Sequence, residues 1–135
     1  MAKSFALQIK DFGDKVNDRM DVVVKKTMLE IHMGVVMTTP VDTGRARANW
    51  NVGLNNVDAS VSPPGNLQQV LNRASALISK IKAGDVIYIS NNVEYIEALE
   101  DGHSKQHPNG MVAVTLRRFN HIVEKSITEA KKEHP

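Results

Sequence analysis

The sequence predicts an α+β domain with a long N-terminal helix, a small mainly antiparallel sheet that includes a β-hairpin, a middle crossing helix and a C-terminal helix. Three observations predict this fold class. Apolar residues recur every three or four positions over the first 37 residues and in two later segments, a spacing typical of helices with one buried face. Two short segments rich in β-branched residues or Trp separate these helices. A chain of 135 residues fits a single domain, residues 1–135.

The first helix is predicted to span residues 1–38, with Ser4 as its N-cap and an end before Pro40. Gly13 and Gly34 are weak points in it. At 1.5 Å per residue it is roughly 50 Å long, more than the remaining chain can cover. Its apolar stripe therefore serves either the core or a neighbouring subunit, and the sequence leaves both open. The stripe consists of Phe5, Ile9, Phe12, Val16, Met20, Val23, Ile31 and Val35.

The predicted α+β core occupies residues 39–130. After a turn at residues 40–44, residues 45–54 are predicted to form a strand around Trp50. Asn55 and Asn56 tolerate positive φ and are expected to close a hairpin onto residues 57–61.

The second half of this core is predicted to alternate helix, strand and loop. Asn66 caps a middle helix that includes Ile81 and stops at Gly84. Residues 85–90 form a central strand, buried on both faces, that pairs with the hairpin. Residues 93–99 form a short helix or turn, and residues 102–110 an exposed, mobile polar loop. A helix closes the chain, and residues 131–135 fray.

Composition narrows the classes of partner. With 17 basic and 15 acidic side chains the net charge is +2, which does not establish a nucleic-acid partner. The absence of cysteine excludes disulfides and thiolate metal sites. No run approaches the roughly 18 apolar residues of a membrane helix, and the amino end lacks a signal-peptide pattern. We therefore expect no membrane partner.

A search for chemistry-bearing motifs finds no phosphate loop, nucleophile elbow or paired-histidine zinc helix. His103 and His107 could share a metal with Asp101 or Glu100, the basis of a small metal-dependent enzyme. The neighbouring glycines and proline indicate a loop, however, which favours solvated histidines. His32 is expected at a packed margin or an interface. No catalytic, cofactor-binding or metal residue is therefore predicted, and the chain is not expected to be an enzyme.

A small nucleic-acid-binding module is the alternative from another class. On a strand, Arg45 and Arg47 would share one face, and Arg117 with Arg118 would add a second basic point. The favoured interpretation is that these arginines form salt bridges. Trp50 is interpreted as a core or interface anchor. DNA binding would require six basic residues to converge, namely Arg45, Arg47, Lys80, Lys82, Arg117 and Arg118.

Two blocks of the sequence resemble one protein family. Residues 39–50 read TPVDTGRARANW and closely resemble the TPVDTGRLRxSW signature of tailed-bacteriophage tail-component proteins. Residues 89–104, ISNNVEYIEALEDGHS, and PNGMV at 108–112 are similar to the family's second half, in the same order and separation. The resemblance covers about residues 39–125 and includes minor tail protein Z-like, tail-completion and head-tail joining proteins. The 102–110 loop departs from it, because many relatives have a shorter passage rich in proline and arginine.

The resemblance implies a structural virion protein that caps the tail tube and joins the tail to the head as a ring, with a hexamer expected. Its expected partners are further copies of itself, the tail-tube protein and head-side connector or neck proteins. DNA would pass through the lumen without specific binding. The implied location is the tail or neck of the virion, after assembly in the host cytoplasm. A head-side neck connector, either adaptor or stopper, is the alternative within this class.

Within the two blocks, scaffold roles are expected rather than catalytic ones. In the first block a proline ends the long helix, short polar side chains bond the turn and a glycine permits an unusual φ. In the second, Asn91 and Asn92 turn the chain after the central strand, Tyr95 packs on that strand, and a glycine ends the short helix. Contacts with other subunits or proteins are expected at residues 62–65 and 102–110. The candidate interface or structural residues are Pro40, Asp42, Thr43, Gly44, Arg45, Arg47, Trp50, Asn92, Tyr95, Glu100, Gly102, His103, His107 and Pro108.

Overall fold

The computed structural model describes residues 5–41, 43–82 and 84–133, with side chains from Arg19 onward. It confirms the predicted α+β class, with a long first helix, an antiparallel sheet, a middle helix and a helical C-terminal region. The helices are α1 (Phe5–Met37), α2 (Arg45–Ala48), α3 (Leu67–Ile78), α4 (Ile96–Glu100), α5 (Val112–Arg117) and α6 (Phe119–Glu133). The strands are β1 (Asn51–Leu54) and β2 (Ile87–Ser90).

The α1 helix passes through both of its glycines without a break. At Gly34 the absence of a side chain has a structural purpose, because a Cβ there would lie 2.7 Å from Cγ2 of Thr115 in α5. This glycine lets the two helices approach closely. The N-cap predicted at Ser4 lies outside the described residues.

The α6 helix runs antiparallel to α1. Lys26 in α1 forms ion pairs with Glu129 at 3.2 Å and Glu133 at 3.0 Å, and Glu30 pairs with Lys125 at 3.4 Å. Residues 131–133, which were predicted to fray, are helical. The last turns of α6 therefore lie beside the middle of α1.

The core lies between α1, α3 and the sheet, and is formed by burial of their apolar faces. One buried cluster consists of Val35, Val36, Ala48, Trp50, Val70 and Met111. A second consists of Val52, Ala74, Ile78 and Ile81. Trp50 joins the first block of the resemblance to the core.

The sheet pairs β1 with β2 in antiparallel register, from Asn51 opposite Ser90 to Leu54 opposite Ile87. The pairing of the later strand with the 45–54 region is confirmed, but the predicted hairpin is wrong, because residues 57–61 form no strand. Asn55 does adopt a positive φ of 63°. A Cβ on Gly53 would lie 1.9 Å from the carbonyl oxygen of Asn56, so the returning chain crosses over the face of β1 instead of running beside it.

Two strand predictions need correction. Residues 45–48 are helical, because Gly44 at φ 83° turns the chain into α2 before the strand begins. Arg45 and Arg47 therefore do not share one face of a strand. The β2 strand is not buried on both faces, since it belongs to a two-stranded sheet and its Tyr88 is 38% exposed.

Two helix predictions also need correction. The α3 helix has the predicted Asn66 cap but ends at Ile78, where the chain tightens into turns before Gly84. The C-terminal helix is divided at Arg118, whose N–H bonds to the carbonyl of Thr115 and tightens that turn. None of the helices described has both the length and the apolar character needed to cross a bilayer.

Candidate functional site

The turn at residues 39–50, here called the signature turn, is fastened to α1 at both ends. The indole Nε1–H of Trp50 donates to Oγ1 of Thr39 at 2.6 Å, and the Thr39 hydroxyl donates to the carbonyl of Val35. The carbonyl of Trp50 accepts from Nε2–H of His32 at 2.9 Å. All of these groups are buried, so Trp50 acts as a core anchor of the turn.

His32 lies deep in the core and is only 1% exposed, so its predicted position at a margin or an interface is wrong. Burial lowers the pKa of His32, which outweighs the opposing effect of its hydrogen bond to the Trp50 carbonyl. The positive charge of Arg73 also lowers this pKa. The imidazole is therefore neutral, with its proton on Nε2.

The centre of the signature turn is built as the sequence predicted. Pro40 is buried just after α1 ends, and Gly44 takes the left-handed φ of 83°. Oγ1 of Thr43 accepts from the N–H of Arg45 at 3.2 Å. Asp42, the other predicted turn residue, lies outside the described residues. The local hydrogen bond and the glycine together direct the chain into α2.

Asn49 is a structural residue that the sequence analysis missed. It is fully buried; its Nδ2 donates to the carbonyls of Arg45 at 2.7 Å and Ser62 at 2.9 Å, and its Oδ1 accepts from the Ser62 N–H at 2.6 Å. These bonds hold the 62–65 loop against the signature turn. The sequence signal available for it was an amide side chain directly beside a tryptophan, a pattern that Asn51 shares.

The two blocks of the resemblance contact each other through side chains. Nη1 of Arg45 bonds Oε1 of Glu94 at 2.6 Å, and the guanidinium carbon lies 5.9 Å from the centroid of the Tyr95 ring. The Arg45 hydrogen bond lowers the pKa of Glu94. Nδ2 of Asn91 donates to the carbonyl of Ala46 at 2.8 Å. Tyr95 therefore lies beside the signature turn, and its predicted packing on β2 stays a prediction.

Gly102 ends α4 as predicted. Its N–H bonds to the carbonyl of Leu99 at 3.1 Å, and the next N–H, of His103, bonds to Ala98 at 3.1 Å. This pair of bonds is the Schellman arrangement, which needs the observed φ of 88° at the glycine. A Cβ on Gly102 would lie 2.3 Å from the carbonyl oxygen of Pro108, so both ends of the loop meet here.

Glu100 closes the other side of the 102–110 loop. Its carboxylate accepts the N–H groups of Met111 at 2.9 Å, Val112 at 2.8 Å and Ala113 at 3.1 Å. Gly110 allows this approach, because a Cβ there would lie 2.6 Å from Oε2 of Glu100. Burial tends to raise the pKa of Glu100, but the three N–H groups outweigh it and lower the pKa. The carboxylate thus caps the first turn of α5.

The tip of the loop is attached to the signature turn. The side-chain amide of Gln106 accepts from the N–H of Val41 at 2.9 Å and donates to its carbonyl at 3.1 Å. His103 is exposed and His107 half-buried. Over the described part of the chain, no three His, Asp or Glu residues converge as metal ligands. The loop is confirmed as irregular, and these bonds attach its tip to the signature turn, while its mobility stays a prediction.

A pocket of about 500 Å³ lies between the signature turn, α4 and the 102–110 loop. Its described ionisable lining residues are Arg45, whose guanidinium is paired with Glu94, and Tyr95. The surface suits binding of an apolar group with an acceptor near Arg45. The lining residues are Pro40, Val41, Thr43, Gly44, Arg45, Ala46, Tyr95, Leu99, Ser104 and Gln106.

The basic residues of the nucleic-acid alternative are dispersed. Arg45 lies near the end of the sheet where Asn91 follows β2, whereas Lys80 and Lys82 precede β2 at the opposite end. Nε of Arg47 donates to the carbonyl of Val36 at 3.3 Å. Arg45 and the two lysines therefore do not share one end of the sheet.

The predicted turn after β2 is made by the first of two asparagines. Oδ1 of Asn91 accepts from the N–H of Val93 at 3.1 Å, while Asn92 is exposed. This local bond leaves the Asn91 amide nitrogen free to reach the signature turn.

Comparisons with protein-family models, with curated proteins and with solved structures find no match for this chain.

Proposed function

We propose that this chain is a structural protein of a tailed-bacteriophage virion that caps the tail tube and joins the tail to the head as a ring. The observation that carries the proposal is the contact between the two blocks that resemble the tail-component family. Two links connect them, Arg45 with Glu94 and Asn91 with the Ala46 carbonyl, and Gln106, in the loop between the two parts of the second block, also bonds to Val41. Two separate stretches of resemblance that build one surface support the interpretation that they form one functional unit.

The pocket supports a binding role. It combines apolar walls with the hydroxyls of Thr43 and Ser104, and its Arg45 is already paired with Glu94, so it suits a protein segment that presents an apolar side chain beside a hydrogen-bond acceptor. The 102–110 loop that forms one wall is held at its neck by Glu100 and at its tip by Gln106. A surface held in place loses little entropy when a partner docks, which favours assembly.

The length of α1 supports contact with a neighbouring subunit. The helix has 33 residues and extends roughly 50 Å, whereas α6 has 15 residues and extends about 22 Å. The last residue of α6, Glu133, pairs with Lys26, so the first part of α1 continues past the end of α6. We propose that this first part contacts the next subunit of the ring.

The test is the molar mass of the purified chain by light scattering, alone and after mixing with the tail-tube protein, with tube lengths measured by electron microscopy. We expect rings, alone or on tube ends, and tubes that stop growing once capped. A chain that leaves tube growth unchanged and binds head-side connector proteins would favour the neck-connector alternative. Steeply salt-dependent DNA binding by a monomer would favour the nucleic-acid module instead.

A further inference from the structure

The outer edge of β2 is open. The N–H of Asn55 bonds to the carbonyl of Val86 at 2.6 Å, which sets the phase of the antiparallel ladder. In that phase Tyr88 and Ser90 exchange main-chain hydrogen bonds with β1. The main-chain groups of Ile87 and Ile89 therefore point away from β1, and no hydrogen bond from the described residues reaches them.

This open edge belongs to a strand that the core holds in place. The side chains of Ile87 and Ile89 pack against the core cluster around Ile78. On the opposite face, Tyr88 is 38% exposed and Val86 is 53% exposed. A fixed edge strand with apolar residues on its open face is a template for another strand.

Residues 57–61, here called the donor segment, form no strand but also have main-chain groups without a partner. The carbonyls of Asp58 and Ser60 both accept from Nδ2 of Asn51, at 3.2 and 2.8 Å. The Ser60 N–H bonds to Oδ1 of Asp58 at 3.0 Å, a local turn that strand addition would have to open. The remaining main-chain groups of the segment are those of residues 57, 59 and 61. No hydrogen bond from the described residues reaches these groups. Val57 is 53% exposed and Val61 is 46% exposed.

We propose that the donor segment of one copy adds as a strand to the outer edge of β2 in a second copy. The alternation of the donor segment is that of a strand, yet it finds no partner strand within its own chain. The outward groups of Ile87 and Ile89 supply the donors and acceptors that such a strand needs. An unrelated strand could fill the β2 edge but would leave the donor segment unpaired, whereas a second copy satisfies both.

The donor segment and the β2 edge are different surfaces, so the contact is heterologous and each copy can bind two neighbours. Repetition of such a contact closes a ring when the rotation between copies allows it. The inference thus rests on the proposed ring for its biological setting and specifies how the ring is joined. Its own geometry can be tested without the tail-tube protein.

Hydrogen exchange of individual main-chain amides, measured in dilute and in concentrated solutions of the unmodified chain, tests the pairing directly. We expect self-association, with the amides of Ile87 and Ile89 becoming protected as the copies associate. The amides of Tyr88 and Ser90, already bonded to β1, serve as internal controls and should be protected at both concentrations. A chain that stays monomeric up to its solubility limit, or one that associates without protecting Ile87 and Ile89, would overturn the inference.

The variant Ala59→Pro removes one N–H of the donor segment that no described hydrogen bond reaches, and Ala59→Thr is its matched control. We expect the proline variant to raise the self-association Kd about tenfold, the factor that corresponds to one lost main-chain hydrogen bond, and the threonine variant to leave it unchanged. Circular dichroism establishes whether each variant folds. If the proline variant does not fold, the exchange measurement on the unmodified chain alone tests the strand pairing. Capped tubes with a folded Ala59→Pro variant that associates normally would contradict the strand pairing but not the proposed function. Protected Ile87 and Ile89 with tubes that grow unchecked would contradict the function but not the pairing.

Discussion

Replacement of Glu100 by alanine should destabilise the fold by removing the acceptor for three main-chain N–H groups. These groups belong to Met111, Val112 and Ala113, at 2.9, 2.8 and 3.1 Å from the carboxylate. A hydrogen bond to a charged group contributes about 1.5–3 kcal/mol, and one lost helix cap costs about 0.5–2 kcal/mol. Because the three bonds share one half-buried carboxylate, we expect a loss of about 2–3 kcal/mol in the free energy of unfolding.

Thermal and urea unfolding followed by circular dichroism measure this loss. For a chain of this length, the expected change corresponds to a decrease of roughly 10 °C in Tm. Glu97→Ala is the matched control, because Glu97 lies on the same helix, α4, and is exposed. If Glu100→Ala were as stable as Glu97→Ala, the cap would contribute nothing and the account of the 102–110 loop would be refuted.

The same residue predicts a pH dependence. The pKa of Glu100 is lowered in the folded chain, so its contribution is complete above the unfolded glutamate pKa of about 4.3. The contribution is lost as the pH falls through the folded pKa, because the carboxylate must then be protonated. Glu100→Gln should therefore lose less stability on acidification than the unmodified chain. Parallel acid profiles of the two proteins would contradict this assignment.

Three further predictions concern the core, the loop and the pocket. Because burial lowers the pKa of His32, the unfolded chain takes up a proton first, and stability should fall as the pH drops below about 6.5, by at most about 1.4 kcal/mol per pH unit. In His32→Gln, the free energy of unfolding measured with urea should depend less on pH in this range. Replacement of the exposed His121 should not have this effect. Gly110→Ala should cost roughly 2–4 kcal/mol of unfolding free energy, because its Cβ meets Glu100 at positive φ. Its control is Gly84→Ala, at φ 92° with no atom within 4 Å of the added Cβ, which should cost about 1 kcal/mol in the same assay. Ser104→Tyr should fill the pocket and abolish binding to the tail-tube or connector protein in pull-down assays, while Tm falls only slightly through loss of the exposed hydrogen bond from the Gln106 N–H.

Local signals predicted several features correctly because their causes lie within a few residues. The asparagine at position 66 was predicted to cap α3, and its side chain accepts from the N–H of Gln69. Positive φ was expected at Gly44 and Asn55 and occurs at both. Gly102 ends α4, since the two hydrogen bonds of a Schellman turn span only six residues.

Strand pairing illustrates where sequence patterns fail. Alternation predicted a strand at residues 57–61, but it says nothing about which chain supplies the partner. The chain turns at Asn55, and Asn56 lies over Gly53. The strand that pairs with β1 is therefore β2 and not the segment that follows the turn. The two sequence-distant strands meet because α3 and the core hold them together, an arrangement that no local pattern encodes.

The sequence by itself determined the fold class, the long first helix, the main turns and the resemblance to tail-component proteins, because periodicity and backbone preference act over short distances. Only the tertiary structure decided that His32 is buried, that Asn49 fastens the 62–65 loop and that Glu100 caps α5. It also decided that Arg45 meets Glu94 across 49 residues of sequence. These outcomes depend on which groups lose contact with water when distant segments pack, and on the requirement that each buried polar group find a partner.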